Sequence, residues 1–189
     1  RLYQSKVDKN PTDGNLYGLA LAHNKNNNFE DSIELLNKLI KKYPKNLVLN
    51  NTKVDTLIAF GKYKDALILV NKFLEISPKN YPLSISKSKL LLLTKEYFQS
   101  EEIIRDQLLR KNNDPELWFL LSEIQRNSKN IIGYHQSRAE YFLLLGQDEQ
   151  ALNQLEFALQ LTQNNFQASD RIMTKIVEIK KTLDSSRGL

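Results

Sequence analysis

The 189-residue sequence contains no cysteine, only two histidines, six glycines and five prolines. The absence of cysteine excludes disulfide bonds, thiolate nucleophiles and thiolate metal sites, although it does not separate a reducing cytoplasm from an envelope compartment. Long apolar runs are absent too. Runs such as those at residues 90–93 and 141–145 are far shorter than the roughly 20 residues that span a bilayer. We therefore predict no membrane-spanning segment.

Motifs that carry chemistry are also missing. The sequence has no HExxH pair of zinc ligands, no glycine-rich phosphate loop and no serine nucleophile elbow. We expect His23 to pack within a helix and His135 to lie on the surface. The acidic pairs at 101–102 and 148–149 stand where negative charge favours a helix N-terminus. We predict no catalytic, cofactor or metal site in this chain.

The net charge of +5 comes from lysines scattered among acidic residues. No basic stripe interleaved with aromatic residues is present, so we predict no nucleic-acid partner, and acidic partners are only weakly favoured. The chain opens at Arg1 without an initiator methionine or a signal pattern. We interpret it as a fragment of a longer precursor.

The sequence does contain a repeat of 34 residues. An aromatic residue, a small residue three positions later and a following proline recur in register: Phe29, Tyr63 and Tyr97, then Ser32, Ala66 and Ser100, then Pro44 and Pro78. The small residue lets two antiparallel helices approach closely, and the proline stops the second helix. Gly61 stands where a helix ending in a left-handed residue favours glycine. The pattern predicts helical hairpins.

These features predict an all-α fold of antiparallel helix pairs forming a superhelix of about ten helices. We expect the first six helices at about 13–26, 29–42, 46–60, 63–76, 81–94 and 97–110. Residues 1–12 are interpreted as a linker from a preceding domain and residues 13–112 as three regular pairs. Residues 113–189 are interpreted as irregular fourth and fifth repeats with a C-terminal capping helix.

The rhythm changes after Asn112, where the expected proline is missing and Pro115 opens the next helix with Asp114 as its N-cap. We predict a slip of a few residues in the repeat at this point. A helix at about 131–145 is expected to serve two pairs at once. A last helix at about 168–184, after the Asn164-Asn165 turn, is expected to cover the core of the final pair.

The spacing and residue types over about residues 13–163 resemble the tetratricopeptide repeat family. The segment 61–67 and Pro78 match the second-helix motif of that family well. Departures are Lys95 and Lys129 in place of glycine, and Leu39 and Gln107 in place of a small residue. The resemblance implies a protein-binding module, with Trp118 at a packing position.

In that family, first-helix positions one turn from the packing residues line the inner, concave face. The protein-binding residues that this implies are Tyr17, Leu21, Asn24, Asn51, Asp55, Ile58, Ile85, Lys89, Leu92, Phe119, Glu123 and Arg126. Some members grip the C-terminal carboxylate of chaperones with a cluster of Lys, Asn and Arg. Leu21 and Asp55 replace the asparagines of that clamp, so we do not expect it here.

A narrower resemblance appears in the last third. The segments 137–141 (SRAEY) and 148–152 (DEQAL), with Gly146 between them and a long helix after them, resemble the C-terminal repeat domain of periplasmic zinc metallopeptidases of the BepA type. The resemblance implies a periplasmic location and an HExxH protease domain N-terminal to this chain. It implies partners among the outer-membrane assembly machinery or unfolded outer-membrane proteins.

The alternative is a free-standing scaffold or secretion chaperone, periplasmic or cytoplasmic, that holds a helix or an extended peptide in its groove. The residues upstream of Arg1 distinguish the two hypotheses. A signal peptide and an HExxH helix favour the first, and a nearby start codon favours the second.

Overall fold

A computed structural model of the chain describes residues 2–162 and 165–187, which form eleven α-helices and no strand. The helices are α1 (Leu2–Lys9), α2 (Asp13–Lys25), α3 (Phe29–Lys42), α4 (Leu47–Ala59), α5 (Tyr63–Ile76), α6 (Tyr81–Leu93), α7 (Tyr97–Leu108), α8 (Pro115–Asn127), α9 (Ile131–Leu144), α10 (Asp148–Leu161) and α11 (Phe166–Arg187). The predicted all-helical class is confirmed. No helix within the described ranges combines the length and the hydropathy that a membrane crossing requires.

The 34-residue period continues past Pro115, so the predicted slip is not found. The first helices of four pairs begin at residues 13, 47, 81 and 115, and the second helices at 29, 63, 97 and 131. The first helices are capped at the same interval, because side chains of Thr12, Asn46, Asn80 and Asp114 accept hydrogen bonds from backbone N–H groups two or three residues later. Capping residues therefore maintain the register where the proline is lost.

The turns within the pairs share a left-handed residue. Asn27, Gly61, Lys95 and Lys129 have φ values of 61°, 76°, 66° and 63°, again 34 residues apart. Lysine adopts this conformation at some cost in free energy, which glycine avoids. Gly146, with φ of 68°, follows Lys129 after only 17 residues. The irregularity of the repeat therefore lies between α9 and α10.

The chain divides into two compact units, residues 1–90 and 91–189, and the division falls within α6. We call them unit 1 and unit 2. The boundary differs from the sequence-based division at residue 112. Compact units are defined by packing, whereas the sequence-based division followed the loss of a proline.

Unit 1 is held by small residues between paired helices and by an apolar core. Ser32 is fully buried and donates a hydrogen bond of 2.8 Å to the carbonyl oxygen of Ala20, and Ala66 is fully buried as well. The segment interpreted as a linker forms α1, which packs on α2. The Tyr3 ring lies where a Cβ on Gly18 would be 2.3 Å from it, so this glycine allows the contact.

In unit 2, α9 packs against both α8 and α10, as expected for a helix that serves two pairs. The buried amide of Gln125 donates to Glu101 over 3.2 Å and accepts from the Ser137 hydroxyl over 2.7 Å, so it joins α7, α8 and α9. A Cβ on Gly133 would lie 2.8 Å from this amide nitrogen, so glycine leaves room for the amide in its present position. Buried polar groups that are paired in this way specify one arrangement of helices.

The closing helix α11 begins at Phe166 and is longer than predicted. Its residues Ile172, Ile176 and Ile179 are buried in a cluster with alanines of α9 and α10. Within unit 2, α11 therefore packs over the apolar cluster formed by α9 and α10. Asn164, part of the predicted turn, lies outside the described residues.

Candidate protein-binding surfaces

In unit 1, hydrogen bonds connect the predicted groove residues of α2 to α4. The Tyr17 hydroxyl is 2.9 Å from the Thr52 hydroxyl, and the Asn24 amide donates to Thr56 over 3.0 Å. Thr56 is fully buried. The structure thus brings these residues of successive first helices together, and their polar groups hold the helices to one another.

A second set of polar contacts links α4 to α6 within unit 1. The Ser86 hydroxyl donates to Asp55 and to the side-chain oxygen of Asn51, and the Asn51 amide donates to Asp55 over 3.1 Å. Partial desolvation of the carboxylate raises the pKa of Asp55, and this outweighs the Ser86 hydrogen bond and the positive charge of Lys89, which both lower it. Asp55 still contacts solvent.

The apolar groove positions of unit 1 differ in accessibility. Leu21 is 42% exposed, and Ile58 is half-buried against the core of α4 and α5. Ile85 is only 6% exposed, so its predicted role as a partner contact is wrong. Most positions of α6 are buried, Ser84 and Ser86 among them.

The predicted positions of unit 2 are exposed or half-buried. Phe119 is 41% exposed and Arg126 is exposed, whereas Leu92 and Glu123 are half-buried. Arg126 donates to Glu123 over 2.6 Å, so these two charges are paired. The exposed ring of Phe119 is the largest accessible apolar group among the predicted groove residues.

Phe119 belongs to a cluster that the sequence reasoning did not identify. Its ring centroid is 5.4 Å from that of Tyr141, and the Arg138 guanidinium lies over the rings of Phe119, Tyr141 and Phe142. Arg138 and Tyr141 are part of the SRAEY segment, from which the sequence predicts a family resemblance but no surface cluster. The sequence does carry a signal for this cluster. It is a positively charged residue followed, three and four positions later on one helix, by aromatic residues.

His135, three residues before Arg138 on α9, contacts α10 and is not the surface residue expected. It is half-buried, its Nδ1 is 2.8 Å from the Gln154 side-chain oxygen, and its ring centroid is 5.4 Å from that of Phe157, which is 50% exposed. We call this set the aromatic surface: Phe119, His135, Arg138, Tyr141, Phe142 and Phe157.

A cleft of about 510 Å³ lies on the opposite side of α9, between α8 and α11. Trp118 lines it, half-buried, and its indole N–H donates to the carbonyl oxygen of Asn112 over 2.7 Å. Two of its charged residues pair across it, with Lys175 Nζ 3.1 Å from a Glu140 oxygen. These contacts join α11 to α9.

The described residues contain no group of three or more His, Asp or Glu side chains that could hold a metal ion. His23 is 3.5 Å from Asp31, far along the chain from His135 and its amide partner.

The fold is a succession of helix pairs of the tetratricopeptide type. The tetratricopeptide repeat family profile matches residues 15–46. Among solved structures, MamA (residues 41 to the end) of Desulfovibrio magneticus RS-1 is similar at 14% identity with a TM-score of 0.62, covering 91% of this chain and 97% of that one.

Two further structures show the same fold. A thermophilic TPR protein of Thermus thermophilus is 19% identical with a TM-score of 0.54, covering 93% of this chain and 88% of that one. A tetratricopeptide repeat protein from Parabacteroides merdae is 16% identical with a TM-score of 0.59, covering 93% of this chain and 75% of that one. No curated protein is significantly similar in sequence.

Proposed function

We propose that this chain is a protein-binding scaffold whose main contact area is the aromatic surface of α8, α9 and α10. The observation that carries the proposal is the pairing of accessible rings with rings beneath them: Phe119 and Phe157 are 41% and 50% exposed and touch Tyr141 and His135. Clustered exposed aromatic side chains are typical of protein interfaces, where they contribute much of the affinity.

The corresponding residues of unit 1 support the choice of surface. Tyr17, Asn24 and Asn51 already use their polar groups in hydrogen bonds between helices. A partner bound there would either break those hydrogen bonds or gain no hydrogen bonds from these groups. In both cases the groups contribute little to affinity. The aromatic rings of unit 2 are held by ring contacts, which a bound partner would not need to break.

A photo-crosslinking experiment tests the scaffold proposal. Benzoylphenylalanine is introduced at Phe119, with Val48 of α4 as the matched position, since its side chain is 63% exposed. In cells of the source organism, position 119 should crosslink to a discrete protein, and an excess of unlabelled chain should compete with the adduct. If position 119 gives no competed adduct, or both positions give the same products, the proposal fails.

We further propose that the scaffold is the C-terminal module of a periplasmic zinc metallopeptidase, recruiting outer-membrane assembly machinery or unfolded outer-membrane proteins. What supports this is the segment 137–141 together with Gly146 and the long α11 that follows, since these carry the resemblance. The upstream gene sequence should encode a signal peptide and an HExxH helix, and the adduct at position 119 should contain an envelope protein. A cytoplasmic adduct and a nearby start codon would favour the free-standing scaffold or secretion chaperone.

A further inference from the structure

Arg138 contacts three of the five rings of the aromatic surface. Its guanidinium carbon lies 4.8 Å from the ring centroid of Phe142, 5.2 Å from that of Tyr141 and 5.4 Å from that of Phe119. Tyr141 and Phe142 follow Arg138 by three and four residues on α9, and Phe119 comes from α8. One cation is therefore held among three rings by two helices, which positions it closely.

The positive charge of Arg138 has no counter-ion within the described residues. Its Nε is buried and makes no hydrogen bond, and the rest of the guanidinium makes neither a hydrogen bond nor an ion pair with the described part of the chain. Glu123 on α8 and Glu140 on α9 already have cationic partners, Arg126 at 2.6 Å and Lys175 at 3.1 Å. Ring contacts compensate only part of the lost hydration of a guanidinium.

We infer that Arg138 binds a Glu or Asp side chain of the partner segment. The inference rests on the proposed scaffold function and specifies its ligand. A guanidinium prefers a carboxylate, which accepts two parallel hydrogen bonds and supplies the missing negative charge. The rings around it would contact apolar residues of the same segment, and they exclude water from the ion pair.

The position of Arg138 within the surface favours an acidic residue inside a segment over a chain terminus. Along α9, His135 with its contact Phe157 precedes Arg138 by three residues, and Tyr141 and Phe142 follow it by three and four residues. A bound segment therefore has apolar contacts before and after its acidic residue. The partner is a peptide segment in which Glu or Asp is flanked by aliphatic or aromatic residues.

A peptide array followed by fluorescence anisotropy tests this inference. The array holds peptide segments of about 15 residues with one Glu or Asp between apolar residues, each beside a counterpart carrying Gln or Asn. The purified chain should bind the acidic members about tenfold more tightly. Arg138→Gln should bind both members of a pair alike, and Arg138→Lys should keep an intermediate preference because it keeps the charge without the planar fork.

The outcomes separate the inference from the scaffold proposal. Equal binding of acidic and neutral peptides by the unmodified chain overturns the role of Arg138 but leaves the scaffold standing, as does a preference that survives in Arg138→Gln. Binding to no peptide also overturns the inference, while the crosslinking result at Phe119 still decides the scaffold. If Arg138→Gln does not fold, salt titration serves instead: the preference should shrink with added salt, and a preference independent of salt contradicts the ion pair.

Discussion

Unit 1 and unit 2 use the outward residues of their helices differently. In unit 1, Tyr17, Asn24 and Asp55 are engaged by hydroxyl and amide groups of neighbouring side chains. In unit 2, the aromatic surface is joined by ring contacts and keeps Phe119 and Phe157 accessible. The same helical repeat therefore supports two kinds of surface, one that stabilises the fold and one that remains available to a partner.

The largest expected effect separates the two surfaces by binding. Phe119→Ala should weaken binding of the crosslinked partner about tenfold or more, because an exposed aromatic with supporting rings is typical of an interface hot spot. Leu21→Ala, at 42% exposure against 41% for Phe119, is the matched change and should alter the affinity by less than about twofold. Isothermal titration with the partner measures both. Equal losses at the two positions would remove the distinction between the units.

The second prediction compares buried polar links. Gln125→Leu should lower the free energy of unfolding by about 1–3 kcal/mol, because it leaves the buried Ser137 hydroxyl and its bond to α8 without a partner. In unit 1, Thr56→Val removes the acceptor of Asn24 and should cost about 1 kcal/mol. Urea unfolding measures both variants. A Gln125→Leu variant as stable as the parent would show that the amide is not needed to hold α8 and α9.

A smaller effect is expected at two left-handed turn residues, Gly61 in unit 1 and Lys129 in unit 2. Lys129→Gly should stabilise the chain by about 0.5 kcal/mol, because relief of the left-handed conformation exceeds the added freedom of glycine in the unfolded chain. Gly61→Ala should destabilise it by about 1 kcal/mol through the backbone alone, since nothing lies within 4 Å of the added Cβ. Thermal unfolding compares the variants. A shift of the same sign in both would contradict the conformational explanation.

The smallest effect concerns the pH dependence of unit 1. The pKa of Asp55 is raised by desolvation, so its contribution favours the folded state at low pH and is lost as pH rises from about 3.8, its ordinary value, through the folded-state pKa. Asp55→Asn should therefore reduce the loss of unfolding free energy that occurs as pH rises through this range. Contact of Asp55 with solvent keeps this change small.

Asp13 supplies the opposite control. Its hydrogen bonds from Lys42 and Tyr43 lower the pKa of the carboxyl, so its stabilising contribution is present above the ordinary pKa and is lost as pH falls through the folded-state pKa. Unfolding free energies measured from acid to neutral pH should give slopes of opposite sign for Asp13→Asn and Asp55→Asn relative to the parent. Slopes of the same sign would refute both assignments.

By itself the sequence determined the helices, their pairing and their period, because these depend on local features. Capping residues such as Asn46 and Asp114, small residues such as Ala66, and Gly61 at a left-handed turn act within a few positions of themselves. A missing proline suggested a slip that caps and turns do not show.

Only the tertiary structure decided which residues, those of the unit 1 groove or those of the aromatic surface, are accessible to a partner. Three features depend on residues of other helices that are distant in the sequence. They are the burial of Ile85, the hydrogen bond from Asn24 to Thr56, and the contact of Arg138 with the Phe119 ring. Helical periodicity gives the face on which a side chain lies, but not what the neighbouring helix places opposite it. The aromatic surface therefore became visible only when α8, α9 and α10 were packed together.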